Sequence, residues 1–213
     1  MRTGPFSSLF KRKSRAKIVG ELLIAYGEIE FDTLCCLAET LGSMSQALQV
    51  MFRIRSETSR LKVADAIMRP RFHALNIKEY DRFIQGAIHC ASIRNFYAHC
   101  HWNNNGPRLV ATNFEDFAKP LSTPANLKTY LVSLDLLRQQ QAFFKYVQEG
   151  LWHLLAEHQK KNGKPPDHDV QAPKTVPTPL IHIGLGKQVN RNRAKSRPQG
   201  SKGKRQASSM DAH

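Results

Sequence analysis

A chain of 213 residues, 41% of them hydrophobic, with a formal net charge of +15 is long enough for one domain with a real core plus tails. Its four cysteines, with Cys35 and Cys36 adjacent and Cys90 and Cys100 flanking residues 91–99, do not suggest a disulfide framework; reduced thiols and a cytoplasmic location are expected. The opening MRTGPFSSLFKRKSR lacks the apolar stretch of a secretory signal, and no run approaches a bilayer span, so no membrane partner is expected.

The charge sits at the ends. Residues 1–17 hold six basic side chains and no acid, and residues 162–213 hold ten basic and three acidic ones. Between them, 18–161 hold sixteen basic against fourteen acidic side chains. A nearly neutral body with two cationic arms points to a polyanion, nucleic acid before an anionic membrane surface. Added solubility is the plain alternative.

In chain order, residues 17–42 read as a first helix, with Leu23, Tyr26, Leu34, Leu37 and Leu41 at helical spacing and Gly42 as the stop. Glu30 falls inside that apolar stripe, so it needs a hydrogen-bonding or cationic partner from elsewhere. Ser43 fits the cap of a second helix over 44–57, and a further helical piece over 58–69 should end near Pro70. The two pieces are either separate or one bent helix. A third helix covers 77–99, its stripe formed by Ile77, Tyr80, Ile84, Ala87, Ile88, Ala91 and Ala98. Asn95 is centred on that stripe, His99 lies within about 40° of its middle and Arg94 sits at its edge, while His89 and Ile93 face the other way. The turn signal Asn105-Gly106-Pro107 and the strand-like RLVATNF predict a short hairpin or extended insertion over 101–118. The last helix is expected over 121–160, capped by Thr123 with Pro124 in its first turn. From Asn162 the chain has six of the eleven prolines and no Phe, Tyr or Trp, which predicts a disordered basic tail. PLIHIGLG within it is either a docking segment or, more commonly, a chance apolar cluster. The fold class is therefore all-α: a bundle of four to five helices over 18–161, with a basic arm over 1–17 and the tail over 162–213.

The chemistry concentrates in RNFYAH, residues 94–99. Asn95 and His99 are i and i+4 and share a face. A neutral imidazole can take a proton from a hydroxyl near pH 7. A guanidinium can hold a phosphate and neutralise charge that develops on it, and an asparagine can orient either. On RNA, whose 2′-hydroxyl adjoins the scissile phosphate, those groups suffice without a metal. A histidine on an apolar face is more often a core residue than a catalyst, and Arg82 and His89 stand at a loosely similar separation. His99, Cys100 and His101 are consecutive, but the tight paired spacings of a structural zinc site are missing, so no metal is expected. There is no Gly-rich phosphate loop, and no cofactor is expected. Trp102 and Tyr97 are aromatic candidates for stacking on a base.

IRNFYAH resembles the signature of the HEPN superfamily: an Arg followed four to six residues later by His, commonly with Asn right after the Arg. The resemblance implies a small all-α domain, metal-independent endoribonuclease activity and a homodimer whose two motifs face each other across a composite groove. It further implies a toxin or phage-defence effector, with an antitoxin or regulatory protein as partner. It assigns His99 as the activator of the 2′-oxygen, Arg94 as the phosphate ligand and Asn95 as their positioner. Glu30, read from the helical wheel, would pair with Arg94 or orient His99, or form a structural salt bridge. A non-catalytic HEPN-like RNA-binding or dimerisation module, and an interaction scaffold with basic arms, are the competing expectations.

Overall fold

Helical periodicity and capping produce five helices among the described residues. The computed structural model describes residues 9, 11–72, 77–105, 108–113, 128–166 and 170–184. Helix α1 is Lys13–Leu41. It starts four residues earlier than its periodicity suggests, so Lys13, Arg15 and Lys17 of the expected arm belong to its first turns. It stops at Gly42, whose φ of 70° is left-handed and whose N–H bonds to the Ala38 carbonyl. Helix α2, Met44–Arg53, is capped by Ser43, whose Oγ accepts from the Gln46 N–H at 3.3 Å. Helix α3, Glu57–Phe72, is separate from α2; Ser56 caps it by accepting from the Ser59 N–H at 3.4 Å. Pro70 does not end α3 but lies in its last turn, where the N–H it lacks costs only one ladder bond, to an exposed residue, Ala66. Helix α4, Ile77–His99, has the expected bounds.

Helix α5, Leu134–Lys161, begins well after residue 121. Ser133 caps it, its Oγ accepting from the Leu136 N–H at 3.0 Å. The β-prone residues before the cap form a strand instead of a first helical turn. Thr123 and Pro124 lie outside the described residues. The long helices α1 and α5 pack along each other, and α2, α3 and α4 pack against α1. Two glycines set the α4–α5 approach: a Cβ on Gly86 would stand 2.7 Å from Val147 Cγ2, and one on Gly150 would stand 2.1 Å from the Phe83 ring. Each helix thus gives up a side chain to admit a bulky one from its neighbour, which fixes where α4 lies.

The all-α expectation is modified by a four-stranded antiparallel sheet in the order β1-β2-β3-β4. The predicted hairpin is β1, Cys100–Asn105, and β2, Arg108–Asn113, paired from Cys100↔Asn113 to Asn105↔Arg108. Strand β3, Thr129–Leu131, extends the sheet from the segment expected to be helical. Strand β4, Ile183–Gly184, extends it from the segment expected to be disordered.

That last point corrects the tail over 170–184. After α5 the chain reverses at Gly163, φ 72°, and 170–184 runs back along α5 toward β3. Side chains hold its main chain: His153 Nδ1 lies 2.9 Å from the Val170 carbonyl, His89 Nε2 lies 2.8 Å from that of Pro179, and Gln140 Nε2 donates to those of Leu180 and Ile181 at 2.7 and 3.0 Å. His182 then packs against Tyr130, centroids 3.7 Å apart, and against Phe96. Low aromatic content does not prevent order here, because the body supplies the hydrogen bonds and the aromatic surface. PLIHIGLG is, through residue 184, a docking segment within the same chain. The basic residues beyond it lie outside the described residues.

Candidate functional site

The motif sits where α4 leaves the bundle and enters the sheet. Up to Ala91 burial follows the predicted stripe, although Ile77 at its start is exposed. From there it swings round the helix to Ile93, Phe96 and Tyr97. Ile93, expected to face outward, is fully buried. The cause is the sheet and the 180–182 segment, which cover the side of α4 that a lone bundle would leave to solvent. Phe96 meets Tyr130 edge to face at 5.4 Å, and Tyr97 stacks on Trp102 at 5.6 Å. The Tyr97 hydroxyl donates to Oε1 of the buried Gln140 at 2.6 Å. With Phe96 and Tyr97 anchored, the remaining motif residues turn the other way. Asn95 and Arg94 are half-buried, and His99 is exposed rather than drawn inward.

Arg94 is the hub. Its Nη1 meets Glu57 Oε1 at 2.7 Å and donates to Asn95 Oδ1 at 2.9 Å. Its guanidinium lies 5.9 Å from the centre of the Tyr26 ring. Both polar contacts use Nη1, so among the described residues the Nη2 and Nε donors make no hydrogen bond. The carboxylate that holds Arg94 is thus Glu57, a residue outside the predicted set. Its sequence signal was present, since Ser56-Glu57 opens a helix, but nothing local says that it faces Arg94.

Glu30 has a partner from elsewhere in the fold, as its position demanded, and that partner is Arg60, neither Arg94 nor His99. Arg60 also donates through Nε to the Ile54 carbonyl at 2.6 Å, closing the end of α2. Glu30–Arg60 is therefore an inter-helix tie. The two ion pairs flank Tyr26, whose hydroxyl is buried without a partner. Burial, then the charges of Glu30 and Glu57, raise the Tyr26 pKa well above the ordinary phenol value, so the phenol stays protonated. Glu57 Oε2 is also buried without a partner. The result is a row of Arg60–Glu30, Tyr26 and Glu57–Arg94–Asn95 across α1, α3 and α4, with His99 one turn beyond Asn95.

Of the residues predicted to act on RNA, the structure brings Arg94 and Asn95 into contact and leaves His99 accessible on the same helix end. Tyr97 is corrected: at 3% exposure, with its hydroxyl bonded inward, it cannot offer its face to a base. Trp102 is partly exposed but stacked on Tyr97. Further along β1, Arg12 Nε donates to Asn104 Oδ1 at 3.4 Å, which sets the basic start of α1 beside the hairpin. Two cavities, of about 320 and 480 Å³, are lined by other residues. Among the described residues, no group of three His, Cys, Asp or Glu side chains is placed to hold a metal, and no helix is long and apolar enough to cross a membrane. No protein-family model, curated protein or solved structure matches the chain.

Proposed function

We propose that this chain is a metal-independent endoribonuclease of the HEPN type, acting in the cytoplasm as a toxin or phage-defence effector. The observation that carries the reading is the Arg94–Asn95 contact, with the Nη2/Nε edge of the guanidinium unspent and an accessible His99 one turn further along α4. In this mechanism Arg94 holds the non-bridging oxygens of the scissile phosphate through that free edge. His99 takes the proton of the adjacent 2′-hydroxyl. The 2′-oxygen attacks phosphorus, and the bond to the 5′-oxygen breaks. That oxygen leaves with the electron pair and is protonated by solvent, giving a 2′,3′-cyclic phosphate and a 5′-hydroxyl end. Asn95, bonded to Arg94 through Oδ1, keeps the guanidinium in line.

A homodimer is part of the proposal. On α1 the exposed Ile24 and Phe31 share one face, with Gly27 and Glu28 between them, and a second copy would cover them. The basic arms bring RNA to the body by a salt-dependent attraction.

One observation favours a second reading. Arg94 is already paired with Glu57, as in a HEPN-like module that binds RNA or dimerises without cleaving. Expression in bacteria separates the two. The ribonuclease slows growth unless an antitoxin or regulator restrains it, and His99→Ala restores growth at equal protein level. Growth inhibition that survives His99→Ala leaves only the non-catalytic module.

A further inference from the structure

The opposite face of α4 carries a second group of unspent polar side chains. Arg82, Gln85 and His89 stand at i, i+3 and i+7, on one side of the helix over about 10 Å. They line a cavity of about 480 Å³ between α4, α5 and the returning segment, with Phe143 and Tyr146 from α5 and Thr175 and Thr178 from the segment. The size falls in the range of small-molecule sites.

The electrostatics are one-sided. The lining holds a guanidinium and an imidazole and no carboxylate. Arg82 Nη1 donates to Thr175 Oγ1 at 3.1 Å; its other donors have no partner among the described residues. His89 Nε2 faces the Pro179 carbonyl at 2.8 Å, a contact that needs the proton on Nε2, so that in the neutral ring Nδ1 is an acceptor. The imidazole meets the Phe143 ring edge to face at 5.7 Å. Among the described residues the Gln85 amide and the Thr178 hydroxyl have no partner either. The Tyr146 hydroxyl is buried without one. Pro177 and Pro179 remove two N–H groups from the segment, which leaves fewer main-chain donors beside these acceptors.

We infer that this cavity binds a small molecule with a flat aromatic body and one oxyanion, of the class of a nucleoside monophosphate. The oxyanion sits on Arg82, where a guanidinium fits phosphate or carboxylate in two-pronged fashion. The flat body lies toward Phe143. The Gln85 amide, His89 Nδ1 and the Thr178 hydroxyl read its polar edge. Because Thr175 and Thr178 belong to the returning segment, the ligand bridges that segment to α4 and tightens its docking. This site is independent of His99 and of the ribonuclease reading.

The test uses the full chain and four probes: adenosine 5′-monophosphate, adenosine, inorganic phosphate and a planar aromatic carboxylate. Calorimetry measures affinity, and amide exchange follows residues 175–181. The expected result is saturable binding of the monophosphate, at least tenfold weaker for adenosine and for phosphate alone, with slower exchange at 175–181. A carboxylate that binds as well as the monophosphate assigns the oxyanion as carboxylate; one that does not assigns phosphate. Arg82→Ala, at an exposed position, should cut affinity at least tenfold with unchanged circular dichroism, and Gln85→Ala by a smaller factor. Binding that ignores Arg82→Ala and leaves exchange at 175–181 unchanged is attraction to the basic arms, and overturns the inference. No binding by any of the four probes overturns it as well.

Discussion

On the side of α4 that faces α1 and α3, Arg94 meets Glu57 and Asn95 through side chains that are still partly open to solvent. Across α4 from it, the buried Gln140 of α5 instead grips the main-chain carbonyls of Leu180 and Ile181 and takes the Tyr97 hydroxyl. The difference is one of exchangeability. A half-exposed guanidinium with one free edge can take an incoming oxyanion at small cost, because neither its charge nor its partner's need be stripped of water first. A fully buried amide serving three groups cannot let go without leaving each of them unpaired. The Arg94 arrangement suits a site and the Gln140 arrangement suits a scaffold, the first on α4 and the second on α5, where it ties α4 to the returning segment.

The sharpest way to break the scaffold side is Gln140→Ala. It strands the buried Tyr97 hydroxyl, removes the donor to two part-buried carbonyls and leaves a void, and the expected loss is about 2–4 kcal/mol. Thermal unfolding gives the total, and amide exchange at 180–184 shows whether the returning segment loosens first. A variant as stable as the wild type would mean that the segment docks by other contacts.

Asp32 offers a smaller, pH-dependent effect. Burial, opposed by hydrogen bonds from Gln148 and Trp152, pushes its carboxyl up to about 7 from an ordinary value of 3.8. Its pKa is raised on folding, so the native state binds more protons than the unfolded state between about pH 4 and 7. Stability from this group is therefore lost as pH rises through that window. Asp32→Asn should stabilise the protein by about 1–3 kcal/mol at pH 8, and the advantage should vanish toward pH 4. Comparing variant with wild type cancels the opposite trend from His158, whose pKa burial lowers and which destabilises the fold as pH falls below its ordinary value of 6.5. A pH-independent difference would show that Asp32 is not the group that titrates.

The mildest change probes exchangeability itself. Glu57→Gln keeps the shape beside Arg94 and removes the countercharge, at a cost of about 1 kcal/mol or less in stability. If Arg94 takes the RNA phosphate, KM for RNA falls a few-fold while kcat holds. An unchanged KM with lowered stability would make the Glu57–Arg94 pair purely structural.

Some of this was readable in the chain, for identifiable reasons. The bounds of α4 follow from a periodic stripe running from Ile77 to Ala98, and the hairpin follows from Asn105-Gly106-Pro107. That Glu30 needed a hydrogen-bonding or cationic partner follows from a carboxylate on an apolar face. Which partner it finds does not, because Arg60 lies thirty residues away and only the packing of α3 on α1 brings it there. The same holds for Glu57 and Arg94. Strand β3 is three residues long, too short for alternation to separate it from the helix that follows. The 170–184 segment was illegible for a deeper reason: its side chains are not what is recognised. The body binds its carbonyls, and carbonyls leave no mark in a sequence. The exposure of His99 was missed because a helical wheel assigns a face but cannot say where the neighbours on that face end.

The most direct measurement is cleavage of a mixed-sequence single-stranded RNA in EDTA by wild type, His99→Ala and Arg94→Ala, each purified identically and checked for folding and RNA binding. The expected result is cleavage by wild type to 2′,3′-cyclic phosphate ends, with losses of about 10²–10⁴-fold for His99→Ala and about 10²–10³-fold for Arg94→Ala. Equal traces of activity in all three proteins would contradict it and leave a helical, basic-armed module that binds RNA without cutting it.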